Sequence, residues 1–252
     1  MRILVTNDDG VYSPGIAALA QVASRFGEVR IVAPDVEMSS ASASITASRP
    51  LSYKRTPLPT PGLDAYRVNG TPGDCVMLGT TLWEKVDVVL SGINIGTNLG
   101  NATWHSGTLA GARQAALLGL RGIAFSAPAT DREQPSFEAL KPWVATVLEA
   151  LLEMPDMPLI NVNFPAEAPR GTLWTHQSLR HYDGKVVPAK DPMGRTHYWF
   201  TVVPVEATEE GTDRWAIEQR YVSMTPLRLD LTDQDKLAQA RKIESWKKLK
   251  FA

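Results

Sequence analysis

The chain opens on a short, apolar, partly β-branched run, Arg2-Ile3-Leu4-Val5-Thr6, which predicts a buried strand. Asn7-Asp8-Asp9-Gly10 follows, with Gly10 closing the strand in a sharp turn. Ser13-Pro14 reads as N-cap and first helical position, and Ile16, Leu19, Ala20, Ala23 and Phe26 recur at helical spacing until Gly27. Residues 28–33 predict a second strand, closed by Pro34-Asp35. The run from Met38 to Ser44 is small and polar, too poor in apolar bulk to be core. Short strands are expected at 50–54 and 66–68, then a helix capped by Thr71 with Asp74 in its first turn. A strand at 87–90, a polar loop over 91–101 and a helix starting near Ser106-Gly107-Thr108 come next. A strand at 122–126, an amphipathic helix at 138–152 and a strand at 159–163, expected as the last of the core, complete the alternation. Such alternation argues for an α/β fold, a parallel sheet covered by helices.

Beyond Pro165 the pattern breaks. Trp174, Tyr182, Tyr198-Trp199-Phe200 and Trp215 lie among turn residues, which suggests an antiparallel excursion, and residues 233–248 read as a terminal helix. The expected division is a core over 1–165 and an extension over 166–252, whose aromatics read either as local packing of a hairpin or, without an obvious second core, as a subunit interface.

At 252 residues the chain can bury a substantial core. Its net charge of −1 gives no global electrostatic reason to expect a nucleic-acid duplex or an anionic membrane as partner. The single cysteine, Cys75, rules out an intrachain disulfide and points to a reducing compartment. Asp8 and Asp9 interrupt the N-terminus at once, and no run of roughly eighteen apolar residues occurs, so a cytoplasmic protein without signal peptide or membrane span is expected.

The chemistry lies in three loops expected at the carboxyl ends of parallel strands, where ligands sit in open α/β sheets. Asp8 and Asp9 offer charged oxygens, and Ser39 and Asn94 neutral ones. Adjacent carboxylates repel each other, so a hard, oxygen-seeking cation such as Mg²⁺ or Mn²⁺ would suit them; capping of the helix that follows is the alternative reading of the pair. His105-Ser106-Gly107-Thr108 supplies an anion-binding counterpart: N–H groups and the dipole at a helix start attract phosphate, and Gly107 permits close approach. The same residues also serve as an ordinary cap and helix–sheet packing. No G-x-G-x-x-G, G-x-x-x-x-G-K-[ST] or G-x-S-x-G motif is present. His105, His176, His181 and His197 lack zinc-site spacing. Asp35 mimics the ribose-binding acid of dinucleotide folds, but without their glycines a turn or cap role is preferred. Cys75 reads as a small buried residue, Asp74 as a helix cap, and Lys247-Lys248-Leu249-Lys250 as a solvated terminus.

These motifs together resemble the SurE family of metal-dependent nucleoside-monophosphate phosphatases. The resemblance rests on I-L-V-T-N-D-D-G, on V-A-P-D with a serine-rich loop ending S-I-T, and on N-G-T-P-G-D-C-V. It continues through L-S-G-I-N-I-G-T-N-L-G, H-S-G-T-L-A-G-A, I-N-V-N-F-P, D-P-M-G-R-T-H-Y-W and Y-V-S-M-T-P-L, spanning nearly the whole chain. It departs in the loop after Ser39, where Ser40-Ala41-Ser42-Ala43 stands in place of a Gly-His or Gly-Ala-type segment. The resemblance implies a Rossmann-like core, a protruding C-terminal region, and dimers or tetramers exchanging C-terminal elements. It places the metal ligands on Asp8, Asp9, Ser39 and Asn94.

The expected activity is divalent-metal-dependent hydrolysis of nucleoside monophosphates to nucleoside and phosphate. Asp8, Asp9 and Asn94 are the candidate catalytic residues; Asn94, Ser106, Gly107 and Thr108 are the candidate phosphate ligands. Whether water or a carboxylate attacks phosphorus stays open, as do base preference, the 5′ or 3′ position, polyphosphate as a substrate and the physiological metal. A haloacid-dehalogenase-like phosphatase fits poorly, because its acids alternate as D-x-D and these are adjacent. A non-catalytic nucleotide or phosphate sensor needs nearly the same residues and is the alternative from another class.

Overall fold

A computed structural model describes residues 1–58, 62–129, 135–179, 182–204 and 208–243 of the chain. Among them one sheet of nine strands carries the fold. Its parallel heart is formed by β1 (Arg2–Thr6), β2 (Glu28–Pro34), β4 (Asp64–Val68), β5 (Val88–Ile95), β6 (Arg121–Ala127) and β7 (Leu159–Asn163), in the order β4-β2-β1-β5-β6-β7. The short β3 (Tyr53–Arg55) lies antiparallel on β4 at one edge. β1 pairs with both β2 and β5, Val5 facing Ile31 on one side and Leu90 on the other. With neighbours on both sides and helices on both faces, Ile3, Leu4 and Val5 are fully buried, as a continuous apolar run demands.

Helices α1 (Pro14–Ala23) and α4 (Phe137–Leu152) cover one face of the sheet, where Ile16, Leu19, Leu148 and Leu151 join Ile3, Val5, Ile31 and Leu90 in the larger core cluster. Helices α2 (Pro72–Leu82) and α3 (Gly107–Leu117) cover the other. Cys75 and Val76 of α2 pack there with Leu4, Val32 and Val89. Expected caps hold. The Ser13 side chain accepts from Gly15 N, and Thr71 with Asp74 forms a reciprocal capping box. Burial pushes the Cys75 thiol well above its ordinary pKa, in keeping with a packing residue.

Two expectations need correction. β5 runs to Ile95, so Asn94 belongs to the strand and not to the loop after it; the pairing with β6 shifts between Ser91 and Asn94, and that irregularity carries the strand onward. The strand at 159–163 is not the last of the sheet. β11 (Val222–Pro226) lies antiparallel on β7, and β8 (Thr172–Trp174) lies parallel on β11. Hydroxyls knit this edge, with Thr175 Oγ1 at 2.8 Å from both Ser223 Oγ and Thr225 Oγ1.

The excursion is a separate hairpin of β9 (Tyr182–Lys190) and β10 (Thr196–Pro204), antiparallel as expected. A short helix α5 (Asp213–Glu218) precedes β11, and α6 (Gln234–Arg241) has no buried residue. The sequence-predicted end of the terminal helix, the 247–250 basic run and His181 lie outside the described residues. No described helix is long and apolar enough to cross a membrane.

Candidate functional site

The turn after β1 is built by its own side chains. Asn7 Nδ2 donates to Gly10 O at 3.0 Å, and Gly10 takes a φ of +94°, where a glycine is favoured. Asp8 is thereby left 3% exposed at the carboxyl end of the strand. Its backbone carbonyl accepts from Met38 N at 2.7 Å, which binds the serine-rich loop to the turn. That loop is fastened at its far end as well, where Ser42 N donates to His105 O and Ser42 Oγ to Trp104 O. With Ile95 N of the third segment donating to Asp9 Oδ2, the three expected segments meet at this edge.

Helix α3 closes the arrangement. Ser106 caps it, accepting from Leu109 N at 3.0 Å, and Thr108 Oγ1 donates to Asp8 Oδ1 at 2.6 Å. Gly107 lies directly over Asp8: a Cβ placed on it would sit 2.7 Å from Asp8 Cβ and 2.9 Å from Oδ2. The helix start can approach the carboxylate only because position 107 has no side chain. Behind Thr108 is a buried amide network. Asn98 Nδ2 donates to Ser126 Oγ at 2.8 Å and to Thr108 Oγ1 at 3.4 Å, while Asn98 O accepts from Asn161 Nδ2 and Asn163 Nδ2. The Asn98 amide can only donate, so the Thr108 hydroxyl turns its hydrogen to Asp8.

Asp9 Oδ2 accepts from Ile95 N at 3.2 Å, so the second carboxylate is tied to the end of β5. One residue earlier, Asn94 Nδ2 donates to Gly96 O at 2.8 Å, leaving Oδ1 as the available atom of that amide. Ser39 Oγ donates to Glu37 Oε1 at 2.7 Å, which commits its hydrogen and leaves its lone pairs. Burial raises the pKa of Asp8, opposed by the bond from Thr108, with a smaller upward push from Glu37. Burial likewise lifts Asp9 to about 6, with Asp8 and Glu37 adding repulsion. Each carboxylate is thus unfavourable as a bare anion, the condition a bound cation relieves.

The donors are all oxygens, two charged and two neutral, and among the described residues no group of three or more His, Cys, Asp or Glu is gathered to hold a metal ion. Asp8, Asp9, Ser39 and Asn94 fit a hard divalent cation that keeps open positions for water or substrate. Thr108 is placed differently from a free phosphate ligand. Its hydroxyl is engaged by Asp8, and its backbone N–H also faces that carboxylate and favours the charged form. Glu37, Asn98, Asn161 and Asn163 escaped sequence reading. The alternation I-N-V-N in an otherwise apolar strand was a signal for the last two, because a buried strand tolerates amides only when they are paired.

Comparison with known proteins shows the family. A family model described as Survival protein SurE matches residues 3–184. The chain is 47% identical over 235 residues to 5′-nucleotidase SurE 1 of Thermus thermophilus, covering 92% of this chain and 93% of that protein. It is 42% identical over 239 residues to 5′-nucleotidase SurE of Deinococcus radiodurans, covering 93% and 89%. The crystal structure of SurE from Aquifex aeolicus superposes with a TM-score of 0.82 at 36% identity, covering 98% of this chain and 100% of that one. With near full-length similarity in sequence and in fold, the chain belongs to the SurE family.

Proposed function

We propose that this chain is a 5′-nucleotidase, a phosphomonoesterase that hydrolyses nucleoside monophosphates to nucleoside and phosphate with a divalent cation, Mg²⁺ or Mn²⁺. The names of the Thermus and Deinococcus relatives support the activity. The observation that carries it is the contact of the α3 start with Asp8, which sets an anion-attracting helix end against a buried carboxylate pair.

Asp8, Asp9, Ser39 and Asn94 would hold the cation, which when bound supplies Lewis-acid polarisation of the phosphoryl group and a more acidic water. Thr108 keeps one oxygen of Asp8 hydrogen-bonded and its orientation fixed. Ile95 N does the same for Asp9. The start of α3, with the N–H of Gly107 in its first turn, would attract the remaining phosphate oxygens, where charge redistributes during the reaction. Burial and mutual repulsion disfavour both carboxylates as bare anions, so a bound cation would hold them ionised.

Phosphate release from nucleoside monophosphates is the direct test. EDTA should silence it, and Mn²⁺ or Mg²⁺ should restore it. Full turnover by dialysed, metal-free protein would refute the metal-dependent reading, and binding of nucleotide without phosphate release would make the protein a sensor.

A further inference from the structure

The loop that carries Ser39 has little to hold it. Over residues 39–43 its only apolar side chains are Ala41 and Ala43, so burial cannot fasten it. Its flanks are tied down: Met38 N donates to Asp8 O, and Ser44 O accepts from Thr71 Oγ1 at 2.7 Å. Between them, Ser39 and Ala41 bond only to their near neighbours Glu37 and Met38. Of residues 39–43, only Ser42 is hydrogen-bonded to a distant described residue. Its N–H donates to His105 O at 3.1 Å and its hydroxyl to Trp104 O at 2.7 Å.

The same loop is strained. Ser40 has a φ of +61° and Ser42 a φ of +55°, the left-handed region where a side chain crowds the backbone and glycine is the usual occupant. A glycine at 42 would relax that turn but could make only the backbone bond. Serine keeps the strain and adds the bond from its hydroxyl, and that bond is what the position gains. The acceptors matter too. Trp104 and His105 come directly before Ser106, the cap of α3, and the start of α3 rests on Asp8. One junction therefore fixes both halves of the cation site, Asp8 through Thr108 and the serine loop through Ser42.

We propose that Ser42 is a positioning residue, whose two bonds to the turn before α3 hold Ser39 at the cation site against the strain of the loop. The role deepens the metal-dependent reading and rests on it for Ser39 as a ligand. Ser39 lies three residues before Ser42, so its freedom is set by the anchors at Met38 and Ser42. When the hydroxyl bond is lost, Ser39 occupies the ligand position for a smaller share of the time, and apparent cation affinity falls by that share.

The test reads metal binding and loop motion separately, in the full-length protein. Mn²⁺ is titrated calorimetrically, and amide exchange over residues 38–46 of the metal-free protein is followed by mass spectrometry. Ser42→Ala keeps the backbone bond and removes the hydroxyl. It should bind Mn²⁺ about tenfold more weakly, as loss of a bond that supports a ligand does. Its loop should exchange faster while the melting temperature stays unchanged, because only an exposed segment is loosened. Ser42→Gly relieves the φ but also lacks the hydroxyl, and should bind Mn²⁺ more weakly than the parent. Ser40→Gly relieves strain without touching either bond, and should bind at least as tightly as the parent. At saturating Mn²⁺ the kcat of Ser42→Ala should return to within about twofold of the parent, since mass action restores the bound form.

In a parent that binds Mn²⁺ and releases phosphate, equal affinity of Ser42→Ala or Ser42→Gly would overturn the positioning role and leave the nucleotidase reading in place. A parent that takes up no Mn²⁺ would overturn the cation reading, and the role of Ser42 with it. Unchanged exchange over 38–46 in Ser42→Ala would show that the loop is held without the hydroxyl. A loss in Ser40→Gly equal to that in Ser42→Ala would assign the effect to general loosening of the loop, against the proposal.

Discussion

Asp8 and Asp9 are neighbours in sequence, but the fold gives them different surroundings. Asp8 is sealed under α3 and receives the Thr108 hydroxyl, whereas Asp9 borders a cavity and receives only Ile95 N. Asp8→Asn or Asp9→Asn should each lower kcat/KM by about a hundredfold or more while the fold persists, because a charge facing the cation is lost and the shape is kept. Near-normal turnover of both variants at saturating metal would dismiss the site. The shift of Asp9 from 3.8 to about 6 also fixes a sign. The folded state holds that proton more tightly than the unfolded chain, so this group's stabilising contribution is present below about pH 4 and is lost as pH rises through about 6. Metal-free Asp9→Asn should therefore melt higher than the parent at pH 7.5, by about 1 kcal/mol once partial exposure is discounted. The gain should vanish near pH 4. Mn²⁺ affinity of the parent should weaken as pH falls below 6, since the cation competes with that proton. A titration flat from pH 5 to 8 would remove Asp9 from the ligand set.

At the scale of elements, much of the site is legible because its signals are local. Ser106 as a cap, Gly10 as a turn and the apolar run before Asp8 each act through bonds only a few residues long, and all three are found where periodicity and capping place them. What lies across from an element is not local. Gly107 reads as permissive for phosphate, and from the sequence Gly107→Ala promises unchanged or higher stability through better helix propensity. The structure reverses that expectation, because the atoms above Gly107 belong to Asp8. The added methyl would have to displace a buried carboxylate held by Thr108, so Gly107→Ala should destabilise by about 1–3 kcal/mol, as overpacking does. Mn²⁺ binding should weaken, and KM for the nucleotide should rise. Unchanged melting with normal metal affinity would show that α3 can move away from Asp8. Likewise, Asn98 reads as one polar loop residue among several. Its value comes from Ser126, Asn161 and Asn163 on two other strands, and no spacing along the chain encodes that meeting.

The whole molecule shows why the segment after Pro165 cannot be treated as one appendage. Asp213, fully buried, accepts from Gly100 N at 2.8 Å and from Ser178 N at 3.0 Å, and Gln177 donates to Gly100 O. The loop leading from β5 to α3 is thus anchored by residues from far along the chain, and β11 is itself a strand of the main sheet. A cut at Ser223 would split β11 and so damage the main sheet. Among the described residues, α6 buries nothing and the β9–β10 hairpin forms a sheet of its own, where Trp199 pairs with Val187 and Phe200 with Val186. Because side chains alternate along a strand, these two pairs point to opposite faces, and Trp199 at 64% and Phe200 at 68% exposure leave apolar surface in water on both. We propose that the hairpin and the tail join subunits into a homodimer or homotetramer. Removal of residues 228–252, which begins after Leu227 N has made its bond to Leu159 O, should leave the sheet intact while lowering the assembly's mass or weakening its association. Replacing Trp199 and Phe200 together by serine should do the same without shortening the chain. Sedimentation velocity over a range of concentrations reads both variants, and thermal melting checks that each remains folded. A folded tail-deleted protein with the parent's mass would confine the interface to the hairpin, and the same result for both variants would place it elsewhere on the molecule.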